Sequence, residues 1–378
     1  MVALRVCGRG SMLEVGCSAA GTEEAVVGVV SRRSVLIGGV GGVGSLVHPG
    51  SASSSGDEHR DRRIDVHHHC TPPGWLRWAE EQGIVTLSPL PWWAEWDDGA
   101  ALSAMDGVGV GTAILSVAMP AARYRDGDQY KEGLLIAYRE VRELADAYPG
   151  RFAFLSRARL DDVDLDVWSV RTGAEMGAVG CQAFTHGRDG TYIGDPAFDP
   201  LLAELDALRS VLVLHPTDLP GSTPDQAVVP GVPGYVCDYP LDTTRAALNL
   251  VVHGTLDRFP NVTVVLPHGG GFLPYVADRV SLNADRFDPP LPPGRLDDYL
   301  RRFYYDTAAP MSSHSTPTLL TSVSPTHLLY GSDWPATSTA QLADTTAVFD
   351  ADPALDAGLR GCVNRDNALR LFPALACL

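Results

Sequence analysis

Beyond residue 62 the chain alternates short apolar runs with longer stretches whose apolar residues recur every three or four positions. The short runs are Ile64–His69, Thr112–Val117, Phe152–Ala158, Ala178–Phe184, Val211–His215, Val262–His268, Phe303–Asp306 and Leu328–Asp333. Several are rich in Val, Ile or Phe with little polar alternation, the pattern of strands buried on both faces. Helical periodicity is clearest in Leu241–Phe259. It also predicts helices near Gln129–Tyr148, Asp161–Met176, Ala197–Leu208, Asp242–Arg258 and Gly271–Asn283. Eight strand candidates with helical connections predict a parallel α/β architecture. A closed (β/α)8 TIM barrel needs about 250 residues, and residues 63–378 supply them as a single domain. Three long connections follow strand ends: Trp92 to Trp96, Gly187–Asp195 and Pro216–Pro240. In such barrels the loops after the strands form the catalytic face.

Residues 1–62 do not share this pattern. Arg32-Arg33 opens an apolar, glycine-rich stretch running through Val47, followed by small residues. That order is similar to a twin-arginine export signal. Thirty-one residues precede the arginine pair, with Glu23 and Glu24 close before it, which fits a disordered leader on a cytoplasmic protein equally well. The stretch is too short and too rich in glycine to span a membrane. Composition narrows the partners. A formal charge of −17 disfavours nucleic acid and anionic membrane surfaces, which need a basic face. Seven cysteines form no CxxC pair, and a core this large needs no disulfide framework, so they read as single thiols.

The strongest chemical signal is Asp65-Val66-His67-His68-His69. Side chains alternate along a strand, so His67 and His69 share a face and can bind one cation, while His68 points away. An HxH pair alone reads first as a polar strand end. His215, His268 and Asp333 each end another apolar run. One such histidine is commonly structural, but barrel closure brings strand tips together around one mouth. His67, His69, His215 and Asp333 are therefore expected to hold one divalent metal, with His268 free as acid–base. Imidazole and carboxylate ligands suit Zn²⁺ and also Mn²⁺, Fe²⁺ or Co²⁺, with zinc favoured by affinity and availability. Asp306, at a strand tip, either orients a water or ligand or caps a helix. Asp65 either supports the cluster from behind or caps backbone at the strand entrance. Trp92 is a candidate wall of an aromatic substrate pocket, and His186 a candidate substrate contact on a loop.

Six pieces of the chain resemble the branch of the amidohydrolase superfamily typified by aminocarboxymuconate semialdehyde decarboxylase, often labelled amidohydrolase 2. They are Ile64–His69, His215-Pro216-Thr217, Arg258-Phe259-Pro260, Pro267–Tyr275, Tyr330–Pro335 and Asn367–Phe372. The pieces run in family order over residues 64–372. The resemblance implies metal ligation by His67, His69, His215 and Asp333 and a catalytic role for His268. In such proteins an arginine eleven residues after that histidine can bind a substrate carboxylate in a neighbouring subunit. Arg279 has this spacing, which implies a homodimer; an ordinary surface arginine fits the position equally. No lysine lies in Ala178–Phe184 to form the carbamate of binuclear members, so one metal is expected.

The function expected is non-oxidative decarboxylation of an aromatic or dienoic carboxylic acid, a small-molecule carboxylate substrate. The alternative is hydrolysis of a lactone, amide or ester at the same centre. A non-catalytic metal-binding protein would lack an acid–base such as His268.

Overall fold

The structure is a computed structural model that describes residues 62–85, 94, 96–119, 124–221, 229–308 and 311–377. Residues 1–61 of the expected leader, and with them the export reading, lie outside the described residues, as do Trp92 and Trp93. No helix among the described residues is long and apolar enough to cross a membrane.

Nine parallel strand segments build the barrel. They are β1 (Arg63–Cys70), β2 (Val110–Val117), β3 (Phe152–Phe154), β4 (Ser156–Ala158), β5 (Cys181–Phe184), β6 (Val211–His215), β7 (Thr263–Leu266), β8 (Tyr304–Asp306) and β9 (Leu328–Leu329). β3 and β4 are halves of one expected strand, interrupted at Leu155. The Leu155 N–H bonds back to Leu115 on β2, whereas the Ser156 N–H bonds forward to Gly180 before β5. The ladder therefore divides into β1-β2-β3 and β4 through β9. Backbone bonds from Val66 N to Tyr330 O (3.0 Å), His69 N to Trp334 O (2.7 Å) and Asp333 N to His67 O (2.8 Å) join the last strand to the first. Eight barrel strands thus close, as expected.

Alternate residues of the strands enter two cores. Val211 and Val213 pack with Ile64, Val66, Ile114, Leu155, Val265 and Leu329 inside the barrel. Leu212 and Leu214 belong to the larger cluster under the surrounding helices. This period of two is the strand signature. The apolar plug fills the barrel, leaving polar side chains at its C-terminal mouth.

Three sequence expectations need correction. The final strand stops at Leu329 rather than Asp333, because the chain turns out of strand geometry and Asp333 takes φ 57°. The connection expected over Pro216–Pro240 ends early, since a helix spans Gly234–Val252 with Pro240 inside it. Pro240 removes one N–H, but it does so near exposed Tyr235 and Val236, where water can meet the freed carbonyl. Cys362 is disulfide-bonded and so is not a single thiol, while Cys70, Cys181 and Cys237 are free.

Asp65 fastens the closing seam. Its fully buried carboxylate accepts the N–H of His67 (3.1 Å) and of Ser332 (3.0 Å). It also accepts the Ser332 hydroxyl (2.5 Å) and His68 Nδ1 (2.9 Å). Asp65→Ala strands several buried donors and is expected to cost about 3 kcal/mol of stability. Urea unfolding measures this, and a loss below about 1 kcal/mol would contradict the fastening role.

Candidate metal and acid–base site

Strand alternation places His67 and His69 on one face of β1 and His68 on the other. His68 stacks 5.0 Å from the Trp334 ring, away from the cluster. His215 joins from the tip of β6 and Asp333 from the turn after β9. One donor atom from each of His67, His69, His215 and Asp333 lies within 4.8 Å of the others. The Asp333 Oδ1 atom sits 3.2 Å from His67 Nε2 and 3.0 Å from His69 Nε2. The imidazole centroids stand 4.8–5.4 Å apart.

The donor atoms fit a cation. His67 Nδ1 is 2.7 Å from Asp306 Oδ2, so the Nδ1 proton is donated there and the Nε2 lone pair faces the cluster. That Nε2 is buried and makes no hydrogen bond, although a carboxylate oxygen is close. His215 Nδ1 donates to the Pro216 carbonyl at 2.8 Å, which leaves its Nε2 bare. Three nitrogens and one carboxylate oxygen suit a borderline divalent ion.

The electrostatics agree. Burial holds His215 well below the usual imidazole range, helped by His69 and His67. Burial also lowers His69, against the pull of Asp333. Burial opposes ionisation of Asp333, yet the charge of His67, with His268 and His69 beside it, holds the carboxyl well below the carboxylate range. His67 goes the other way. Burial lowers it, but Asp306 and Asp333 together raise it well above its ordinary value. Two buried carboxylates therefore need one positive charge between them. A proton on His67 and a divalent cation compete to supply it.

Asp306 does more than either role the sequence allowed alone. Besides His67 it receives the N–H of His268 (2.8 Å) and of Ala308 (3.1 Å). One fully buried carboxylate thus orients a cluster histidine and holds the turn that carries the acid–base candidate. The sequence signal was an acid at a strand tip, which could not reveal its partners.

His268 has φ 54° and begins a turn whose three glycines also have positive φ. A Cβ on Gly271 would lie 2.1 Å from the Pro240 carbonyl, so this approach to the Gly234–Val252 helix requires glycine. The turn points His268 Nε2 toward Asp333 Oδ2, 3.6 Å away. Its Nδ1 is buried and without a hydrogen-bonded partner.

The other candidates stand apart. His186 is buried, with Nδ1 2.7 Å from the Gly187 carbonyl and Nε2 3.0 Å from that of Asp218. It pins two loops together and does not join the cluster. Arg279 is exposed on the helix Leu273–Leu282. Cys70 is a buried thiol whose pKa burial and nearby Glu140 push up, so it is no ready thiolate ligand.

Residues 64–374 match the family model described as Amidohydrolase. The chain is 31% identical over 330 residues to the 6-methylsalicylic acid decarboxylase of Aspergillus aculeatus, covering 83% of this chain and 96% of that protein. It is 27% identical over 288 residues to the gamma-resorcylate decarboxylase of a Rhizobium species, covering 72% and 85%. The crystal structure of 5-carboxyvanillate decarboxylase from Novosphingobium aromaticivorans, complexed with manganese and 4-hydroxy-3-methoxy-5-nitrobenzoic acid, shares the fold. Its TM-score is 0.71 at 21% identity, covering 84% of this chain and 97% of that one.

Two outcomes follow from the Asp306–His67 pair. Asp306→Asn keeps the shape but removes the charge, and is expected to weaken divalent-metal affinity about 10–100-fold. Competition with a chromophoric chelator measures this; unchanged affinity would contradict the role. Metal binding should also release a proton. Because the His67 pKa is raised, affinity should begin to fall on the neutral side as pH drops, and a flat profile from pH 8 to about 6 would contradict the competition.

Proposed function

The chain belongs to the amidohydrolase family, and from that membership and the site we propose a metal-dependent, non-oxidative decarboxylase of an aromatic carboxylic acid. The observation that carries this reading is the shared anchor. Asp306 holds both His67 in the donor cluster and the turn bearing His268. Metal donors and a proton carrier therefore meet the same substrate.

The support beyond geometry is the set of similar proteins, which are named decarboxylases of aromatic acids. His67, His69, His215 and Asp333 would hold one divalent ion. Zn²⁺ is favoured by affinity for such donors, and Mn²⁺ is the ion in the fold neighbour described above. Bound there, the cation would fix the substrate carboxylate and an adjacent oxygen and draw electron density from the ring.

The protein's own groups then manage one proton. His268 delivers it to the ring carbon that bears the carboxylate. The new C–H bond forms from a ring π pair; the carbon–carboxylate bond then breaks, CO₂ leaves, and its bonding electrons restore the aromatic ring. Asp306 keeps His268 in place through its backbone N–H, without touching the reacting atoms. The left-handed turn directs the imidazole toward Asp333, on the side where substrate meets the cluster. No organic cofactor is required, because protonation of the ring supplies the electron sink.

Arg279 is assigned to the site of a second copy, in a homodimer. Supporting this, Tyr275 and Leu282 on the same helix are 80% and 81% exposed, which gives the face apolar area to cover.

Incubation with 6-methylsalicylate, 2,6-dihydroxybenzoate, 5-carboxyvanillate and a set of aryl lactones tests the reaction class. Release of CO₂ from an aromatic acid is expected. Acid release from lactones with no CO₂ from any acid would replace the reading with hydrolysis. His268→Ala should keep its metal and lose about 10²–10⁴-fold in kcat; full activity in that variant would remove His268 from the mechanism.

A further inference from the structure

Arg157 lies on β4 and points into the barrel. Its neighbour Ser156 faces outward, since a Cβ on Gly173 of the helix Val163–Glu175 would meet Ser156 Cβ at 2.4 Å. Over the adjoining strand β5, the Arg157 guanidinium sits 4.6 Å from the centre of the Phe184 ring, with Nη1 3.4 Å from Gln182 Oε1.

Register places this guanidinium at the height of the metal donors. His69 pairs with Ser116, and Leu115 with Phe154, which puts Leu155 level with Ser116. In an eight-stranded barrel of shear 8, a horizontal layer advances about one residue per strand. Two strands on from His69 the layer therefore reaches two residues beyond Leu155, at Arg157. The same count continues correctly. Arg157 pairs with Gln182, and Gln182 with Val213, so two residues further is His215. His69, Arg157 and His215 belong to one layer of inward side chains from alternate strands.

The charge of Arg157 is unanswered there. The residue is 5% exposed. Nη1 donates to the Val117 carbonyl, and Nε is buried with no hydrogen-bonded partner. After burial, the groups acting on it most strongly are Arg159 and the tyrosines Tyr130, Tyr124 and Tyr138, none of them a carboxylate. Ser116 Oγ, on β2, is also buried and unpartnered. A buried cation without a counter-charge is unfavourable. The chain carries 46 acidic residues, yet among the described residues none is paired with this guanidinium. A ligand carboxylate would complete the arrangement, and a guanidinium fork suits one geometrically.

We propose that Arg157 determines specificity by receiving a second anionic group of the substrate, making the preferred substrate an aromatic dicarboxylate. One carboxylate lies at the His67, His69, His215 and Asp333 cluster, and the other meets Arg157 with Ser116 beside it. The assignment rests on the decarboxylase reading for the reaction, but not for binding.

Calorimetric titration of the metal-loaded protein with isophthalate and with benzoate tests it. Wild type should bind isophthalate at least about ten-fold more tightly, the scale of one charge-assisted contact. Arg157→Met should abolish that preference and leave benzoate affinity unchanged. Equal weakening of both ligands, or no preference in wild type, overturns the proposal. Should Arg157→Met fail to fold by circular dichroism, Arg157→Lys decides. A reduced preference with unchanged benzoate affinity supports the role, and an unaltered preference overturns it. A CO₂ assay on the same samples separates the two readings. An Arg157-dependent preference without CO₂ release from any aromatic acid sinks the decarboxylase and keeps the subsite. CO₂ release with Arg157→Met affecting mono- and dicarboxylates alike does the reverse.

Discussion

The hydrogen bonds that close the last strand onto the first govern the rest of the molecule. His67 accepts from the Asp333 backbone, and Asp65 grips both sides of the seam. An open sheet would leave β1 and the turn after β9 at opposite edges. Closure instead brings an HxH pair against an aspartate some 260 residues away in sequence. The histidine on β6 and the turn after β7 then arrive at the same mouth, because parallel strands present all their C-terminal ends on one side.

The site so assembled carries opposed electrostatic demands. Burial favours neutral imidazoles, and His69 and His215 comply. The carboxylates of Asp306 and Asp333 stay close to His67 and demand positive charge. A site of this kind is poised for a cation rather than stabilised by its own ion pairs, since buried pairs repay desolvation poorly. Asp306 links that demand to His268 through the backbone, so the donor cluster and the turn that carries His268 cannot drift independently.

Much of this was legible in the chain. Apolar runs without alternation marked the barrel strands, and polar residues at their ends marked His67, His69, His215, His268 and Asp333. Those features are local, and barrel closure supplied the missing third dimension. The parts that were not legible depend on tertiary partners. Asp306 reads as a helix cap until its two oxygens are seen to serve His67 and His268. His186 reads as a loop histidine until two carbonyls are found against its ring. Arg157 lies in a short run, Ser156-Arg157-Ala158, that simply looks less apolar than its neighbours. Only the interrupted strand and the register through β5 and β6 bring it level with the donors. The first turns of helix Gly234–Val252 were obscured by Pro240, whose local preference against helix yields to exposure at that end.

X-ray absorption at the metal edge of the purified protein, with metal content per chain, tests the four-residue cation site most directly. One ion per chain is expected, with a first shell of nitrogen and oxygen only and the multiple scattering of three imidazoles. Two ions per chain, a sulfur ligand, or scattering from a single imidazole would contradict it.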